Sequence, residues 1–157
     1  MTLWPAVHAE QSVLADDLEQ LDQEQWGHQS LCGRWTVEDV VAHLTAAAST
    51  GRLRWLSSVA GARFDSSLHN QRRMAEHQGD RPGETLQRFR RIVNSTTAPS
   101  GHVPAWLGEV VVHAQDIRRP LGIERAPAID AVTEVADFFC PSRFHREKSQ
   151  SYRGSPA

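Results

Sequence analysis

The chain has 157 residues, the length of one ordinary domain. Its formal net charge of -2 and pI near 6.4 argue against a nucleic-acid partner, because such proteins carry a cationic excess that neutralises phosphates. Its two cysteines cannot build a disulfide framework, which favours a reducing, cytoplasmic compartment. It shows no signal-peptide pattern and no apolar run long enough to span a membrane. We therefore expect a cytoplasmic single-domain protein without a membrane partner.

The hydrophobic pattern is helical wherever a period can be read. Loops are predicted at two polar stretches that carry glycine, proline or serine, residues 27–35 and 94–104. Residues 61–83 are predicted as a long connection that contains a helical piece near residues 70–77. In chain order, the predicted helices are Trp4 to about Leu21, Thr36 to about Val59, about Glu84 to Asn94, Pro104 to about Arg119 and about Ala128 to Phe139. The predicted inward faces of the second, fourth and last of these helices are, in that order, Val37, Val40, Val41, Leu44, Ala47 and Ala48; Trp106, Leu107, Val110, Val111, Ala114 and Ile117; and Ile129, Val132, Val135 and Phe139.

The predicted fold class is all-α, a helical bundle over residues 1–140. From Pro141 onward the chain offers almost nothing apolar to bury, so residues 141–157 are predicted as a polar, disordered tail. The second helix has the clearest start. The hydroxyl of Thr36 can cap its N-terminus. Asp39, three residues later, stands at the reciprocal position of a capping box, from which its carboxylate can accept a hydrogen bond from the backbone N–H of Thr36.

The fourth predicted helix carries residues that could bind a metal. Glu109, His113 and Asp116 share a narrow stripe at the edge of its apolar face. Glu109 and His113 are four residues apart, so both side chains can reach one point beyond the helix. His43, at the border of the apolar face of the second helix, is the candidate third ligand. On spacing alone, the alternative of ordinary hydrated boundary residues stays open.

Two long segments resemble a known family. Residues 31–44, LCGRWTVEDVVAHL, are similar to the C-P-G-W-T-V-x-D-V-x-A-H-L signature of the mycothiol-dependent maleylpyruvate isomerase family. Residues 107–122, LGEVVVHAQDIRRPLG, resemble its E-x-x-x-H-x-x-D-I-R-R-P-L-G stretch. Arg63-Phe64-Asp65 and Asn70 are similar to its interhelical linker. The resemblance implies a DinB-like four-helix bundle, here with an additional short C-terminal helix.

The resemblance also implies a metal site and a co-substrate. The family's ligands fall on His43, Glu109 and His113 of this chain. Zinc is the expected divalent ion because imidazole and carboxylate suit it, with nickel or another transition metal as alternatives. Mycothiol is the implied co-substrate. The chain departs from the pattern at Gly33-Arg34, where the family has Pro-Gly, and after Phe139, where the family continues with apolar sequence.

The remaining polar residues near these motifs are given simpler interpretations. Asp116 is expected to orient a metal ligand or to pair with an arginine. Arg118 and Arg119 either face an anionic substrate or thiol, or complement the helix C-terminus. Cys32 is interpreted as a small packed residue. The other predictions are core anchors at Trp35 and Trp106, and solvated side chains at six histidines: His8, His28, His69, His77, His102 and His145.

Three functional hypotheses follow. In the first, a metal-activated low-molecular-weight thiol attacks a small-molecule electrophile, which leads to isomerisation or S-transfer. In the second, metal-bound water acts as the nucleophile of a hydrolase. In the third, the bundle is a non-catalytic metal-binding or dimerising module. No side chain is assigned as the nucleophile, and a homodimer is left open.

Overall fold

A computed structural model describes residues 2–49, 74–99 and 101–140. These residues form helices joined by loops, together with an isolated bridge between Gln29 and Thr36, which confirms the all-α prediction. Residues 74–77 make one further helical turn. The helices are α1 (Trp4–Glu19), α2 (Gln23–Trp26), α3 (Val37–Ser49), α4 (Pro82–Ile92), α5 (Val103–Arg118) and α6 (Ile129–Phe139).

Most predicted helices are found within two residues of their expected starts. The short helix α2 was not predicted, although its N-terminus carries a readable signal. Asp22 caps it by accepting a hydrogen bond from the backbone N–H of Gln25, whose side chain accepts one from the N–H of Asp22. The predicted extension of the second helix to Val59 and the predicted disordered tail, residues 141–157, lie outside the described residues.

Four long helices form the bundle in an up-down-down-up arrangement. α1 and α5 run parallel, since Asp17 and Arg118 pair near their carboxyl ends. α3 and α4 also run parallel, with Thr85 bonded to Glu38 near their amino ends. The second pair is antiparallel to the first, because the backbone N–H of Leu31, just before α3, donates to the carbonyl at the end of α5. α3 and α5 are therefore neighbours that run in opposite directions.

The core is apolar and fills the space between these four helices. The predicted inward faces of α3 and α5 are confirmed, except that Ala47 is only partly buried. None of the described helices is both long and apolar enough to cross a bilayer. Fully buried apolar side chains from the bundle include Val7, Leu14, Val37, Val40, Val41, Leu44, Phe89, Leu107, Val110 and Ile117.

The face assigned to the C-terminal helix is partly wrong. The sequence grouped Ile129, Val132, Val135 and Phe139 on one side, but Ile129 is 75 % exposed and Phe139 is 61 % exposed. Ala131 is the buried residue, and Val135 packs against the core. α6 lies close to α5 because Gly108 has no side chain: a Cβ there would meet Phe139 at 3.2 Å and Val135 at 3.3 Å.

The predicted cap of the second helix is confirmed. The Oγ1 atom of Thr36 accepts from the backbone N–H of Asp39 at 3.2 Å, and Asp39 Oδ2 accepts from the backbone N–H of Thr36 at 2.8 Å. Asp39 Oδ1 also accepts from Gln78 at 2.6 Å, which ties the cap to the segment before α4. This cap fixes the residue at which α3 begins, and with it the position of His43 along the helix axis.

Thr36→Ala is expected to lower the free energy of unfolding by about 1 kcal/mol, because an N-cap hydrogen bond is lost. Thr36→Ser keeps the hydroxyl and should retain most of the stability. Urea unfolding followed by circular dichroism measures both variants. Equal stability of wild type and Thr36→Ala would contradict the role of the cap.

Candidate metal centre

The centre lies where α3 and α5 face each other. His43 comes from the second turn of α3, and Glu109 and His113 come from successive turns of α5. One ligand atom of each side chain lies within 4.8 Å of the corresponding atoms of the other two. The two imidazole rings meet edge to face, with centroids 5.3 Å apart. The structure therefore brings together the three residues that the sequence singled out.

Glu109 stands at the solvent side of this cluster. Its Oε2 atom lies 3.3 Å from His113 Nε2, and its side chain is 53 % exposed. The hydrogen bond to His113 lowers the pKa of Glu109; burial opposes this, and the charges of His113 and His43 add to the lowering. The carboxylate is thus ionised at neutral pH and available as an oxygen ligand.

His113 is held by a carboxylate on each edge of its ring. Its Nδ1 lies 3.1 Å from Asp116 Oδ2, on the side opposite Glu109, and the side chain is only 12 % exposed. Burial lowers the pKa of His113, but the hydrogen bonds to Glu109 and Asp116, with their charges, outweigh it and raise the pKa overall. When Nδ1 carries the proton donated to Asp116, the lone pair of Nε2 lies on the side of Glu109. This is the usual orienting role of a carboxylate behind a metal-binding histidine, as expected for Asp116.

The donor set fits a divalent transition ion. Two imidazoles and one carboxylate are typical zinc ligands, and bonds of about 2.0–2.2 Å place the atoms of a tetrahedral site roughly 3.3–3.6 Å apart. The 3.3 Å separation of Glu109 Oε2 and His113 Nε2 meets that condition, and the upper limit of 4.8 Å requires only a small movement of His43. Three protein ligands leave a position for a further ligand, which is typical of catalytic sites.

Trp35 forms one wall of the centre, a role that the sequence did not reveal. Its ring centroid lies 4.9 Å from that of His43 and 6.5 Å from that of His113. The residue directly precedes the capping Thr36, so its position is fixed by the start of α3. Its interpretation as a core anchor captured the packing against the core but missed the contact with both imidazoles.

A tight loop before α3 brings Cys32 close to His113 and Asp116. One ligand atom each of Cys32, His113 and Asp116 lies within 4.8 Å of the other two. Burial raises the pKa of the Cys32 thiol, and the negative charges of Asp116 and Glu109 raise it further. Interpreting Cys32 as a packed residue overlooked this cluster, because a contact between residues 32 and 116 leaves no local pattern.

The two arginines at the end of α5 differ in environment. Arg118 is 0 % exposed, and its Nε donates to Asp17 at 2.8 Å, so it binds α1 and not the centre. Arg119 is exposed. The role of Arg119 towards an anionic substrate or thiol stays a prediction.

The expectation that six histidines are solvated holds only in part. His28 is exposed. His8 is half-buried, and its Nε2 lies 3.0 Å from the carbonyl of Ser95, a contact between α1 and the segment after α4 that the sequence could not show. His77 is half-buried as well. His69 and His145 lie outside the described residues.

The affinity for zinc is expected to fall as the solution is acidified. The fall should begin while the pH is still above about 6.5, the ordinary pKa of histidine. The pKa of His113 is raised, and a protonated imidazole has no lone pair for a metal. Affinity is therefore lost as the pH drops through this raised pKa. Competition with a chromophoric chelator between about pH 5 and 8 measures it. Asp116→Asn removes one of the charges that raise the pKa of His113, so the zinc affinity of this variant should begin to fall at a lower pH than that of wild type. An identical onset in the two proteins would contradict this explanation.

Comparison with known families identifies the chain. Residues 7–105 match the family described as the mycothiol maleylpyruvate isomerase N-terminal domain. The match covers more than half of the 157 residues, and the chain belongs to this mycothiol-related, metal-binding family. His43 lies inside the matched residues, whereas Glu109 and His113 lie just beyond them. Comparisons with curated proteins and with solved structures find no match.

Proposed function

We propose that the protein is a divalent-metal-dependent enzyme that uses a low-molecular-weight thiol, mycothiol, to transform a small electrophile by isomerisation or S-transfer. The observation that carries the proposal is the convergence of His43, Glu109 and His113 within 4.8 Å in a chain of this family. Zinc is the ion that this donor set favours, with nickel or another transition metal as alternatives.

The residues around the centre have separate tasks. His43, Glu109 and His113 hold the ion, and Asp116 keeps the ring of His113 in the orientation that presents Nε2. When bound, the ion acts as a Lewis acid that lowers the pKa of a thiol or water ligand. Trp35 packs beside the two imidazoles and forms one wall of the centre. The exposed side chain of Glu109 marks the direction from which thiol and electrophile reach the centre.

The same geometry would serve a hydrolase or a non-catalytic metal-binding module, so the choice of a thiol rests on family membership. The substrate class follows from the reaction: a thiolate requires an electrophilic carbon in its partner. Maleylpyruvate, named in the family description, is the first substrate to test. We place the reaction in the cytoplasm, without a nucleic-acid or membrane partner.

The test compares consumption of maleylpyruvate by zinc-loaded protein with and without mycothiol. Turnover that needs both zinc and mycothiol, and that is lost in His113→Ala but kept in His28→Ala, is the expected result. His28 is the matched control because its side chain is exposed and its Nδ1 contacts only the adjacent carbonyl among the hydrogen bonds described. Consumption without any thiol would instead support the hydrolase. Bound zinc with neither activity would support the non-catalytic module.

A further inference from the structure

We propose that Cys32, His113 and Asp116 form a second metal-binding site, selective for thiophilic divalent cations, that shares His113 with the first centre. The proposal stands on the position of three chemically different donors whose ligand atoms lie within 4.8 Å of one another. It does not depend on the proposed enzymatic function, because it concerns binding alone.

The two sites use opposite edges of one imidazole ring. Nε2 of His113 lies 3.3 Å from Glu109, in the first centre, and Nδ1 lies 3.1 Å from Asp116 Oδ2, in the second. Asp116, which orients His113 when the first centre is filled, becomes a ligand when the second is filled. A neutral imidazole has one lone pair, so the second site is occupied when the ring proton moves from Nδ1 to Nε2 or is released.

Cys32 is fixed in place before any ion binds. The N–H of Leu31 donates to the carbonyl of Asp116 at 3.1 Å, which fastens the loop to the last turns of α5. The N–H of Cys32 donates to Ser30 Oγ at 3.1 Å, and its carbonyl accepts from the N–H of Trp35 at 3.1 Å. A ligand that is held by its own loop loses little conformational entropy on binding, and its site is preorganised.

The chemistry of the donors sets the selectivity. A thiolate is a soft ligand, and it distinguishes this site from the first centre, which has only nitrogen and oxygen donors. Without an ion the two carboxylates, Asp116 and Glu109, disfavour a thiolate at Cys32. A divalent cation reverses this effect, since it is attracted by the same carboxylates and takes the place of the thiol proton. Cd²⁺ is therefore the probe of choice.

Sharing His113 makes the two sites compete. Filling both would require the ring to lose both protons, so we expect a Cd²⁺ ion at the second site to lower the affinity of the first centre for zinc. In the proposed function, such an ion would act as an inhibitor that draws His113 away from the catalytic metal. This consequence, unlike binding itself, rests on the proposed function.

The test titrates the metal-free full-length chain with Cd²⁺ and follows the ultraviolet charge-transfer absorption of a cadmium–thiolate bond. Wild type should develop the band with one equivalent of Cd²⁺. Cys32→Ser should lose the band completely, because the first centre, which it leaves intact, offers only nitrogen and oxygen donors. Cys140→Ser is the matched control, since it removes the only other cysteine, at the exposed end of α6, and should keep the band.

His43→Ala separates the second site from the first. It removes a ligand of the first centre alone, so the cadmium–thiolate band should persist. Loss of the band in folded His43→Ala protein would show that Cys32 completes the first centre, and would overturn a separate site. A band that persists in Cys32→Ser, or a wild type without one, would also overturn it. These readouts need no turnover, so failure of the second site and failure of the proposed enzyme are distinguished.

Discussion

Asp17→Ala is expected to lower the free energy of unfolding by about 3–5 kcal/mol, because it leaves a buried cation without its partner. Arg118 is fully buried, the side chain of Asp17 is 6 % exposed, and Asp17 Oδ2 accepts from Arg118 Nε at 2.8 Å. Within the described residues, the two Nη atoms of Arg118 have no hydrogen-bond partner, so the carboxylate is the only group that compensates the charge. Chemical unfolding of the metal-free protein measures the loss.

Two further variants separate this effect from a general sensitivity of α1. Arg125 donates to the other oxygen of Asp17 at 2.9 Å, but its side chain is 50 % exposed, so Arg125→Ala should cost less than about 1 kcal/mol. Replacing the pair together, Asp17→Leu with Arg118→Met, removes both buried charges and should recover most of the stability. A loss below about 1 kcal/mol in Asp17→Ala would show that the charge of Arg118 is compensated in another way.

His113→Ala is expected to weaken zinc binding by about 1,000-fold. A protein zinc site is worth roughly 10–16 kcal/mol, so one of three ligands supplies about 4 kcal/mol, which corresponds to that factor. The loss of zinc affinity should be larger for His113→Ala than for removal of either other ligand, because His113 is also the ring that Asp116 orients. Competition with a chelator of known affinity measures it at a pH where imidazole is neutral.

His28→Ala is the control for this measurement, because it removes an exposed imidazole that lies outside both ligand clusters. Its zinc affinity should equal that of wild type. If His113→Ala kept the wild-type affinity while remaining folded, the ion would be bound elsewhere and α5 would not carry the centre.

The sequence predicted those parts of the fold that depend on local patterns. Helical periods showed which residues of α3 and α5 point inward, and the Thr36–Asp39 pair located the start of α3 because a cap is made by residues three apart. Glu109 and His113 could be paired for the same reason. The place of His43 at the border of an apolar face made it a candidate, but only the family resemblance implied that it joins Glu109 and His113, since no local rule states that the second and fourth predicted helices are neighbours.

The features that the sequence missed depend on contacts between distant segments. The close approach of α6 to α5 depends on Gly108, which has no side chain to meet Phe139 and Val135. The position of Cys32 depends on the bond from Leu31 to the carbonyl of Asp116. Arg118 was expected to face an anionic substrate or thiol, or to complement the helix C-terminus. A fully buried arginine is rare unless it is paired, and its partner Asp17 lies on a helix distant in sequence.

The central claim is that His43, Glu109 and His113 bind one divalent ion. Anomalous diffraction at the zinc edge, from zinc-loaded crystals of Cys32→Ser, tests it most directly, because that variant lacks the thiol of the second site. The predicted result is one anomalous peak about 2.0–2.2 Å from a nitrogen of each histidine and an oxygen of Glu109. An anomalous map from zinc-saturated crystals with no peak between these three side chains, or with its peak at another place, would contradict the claim.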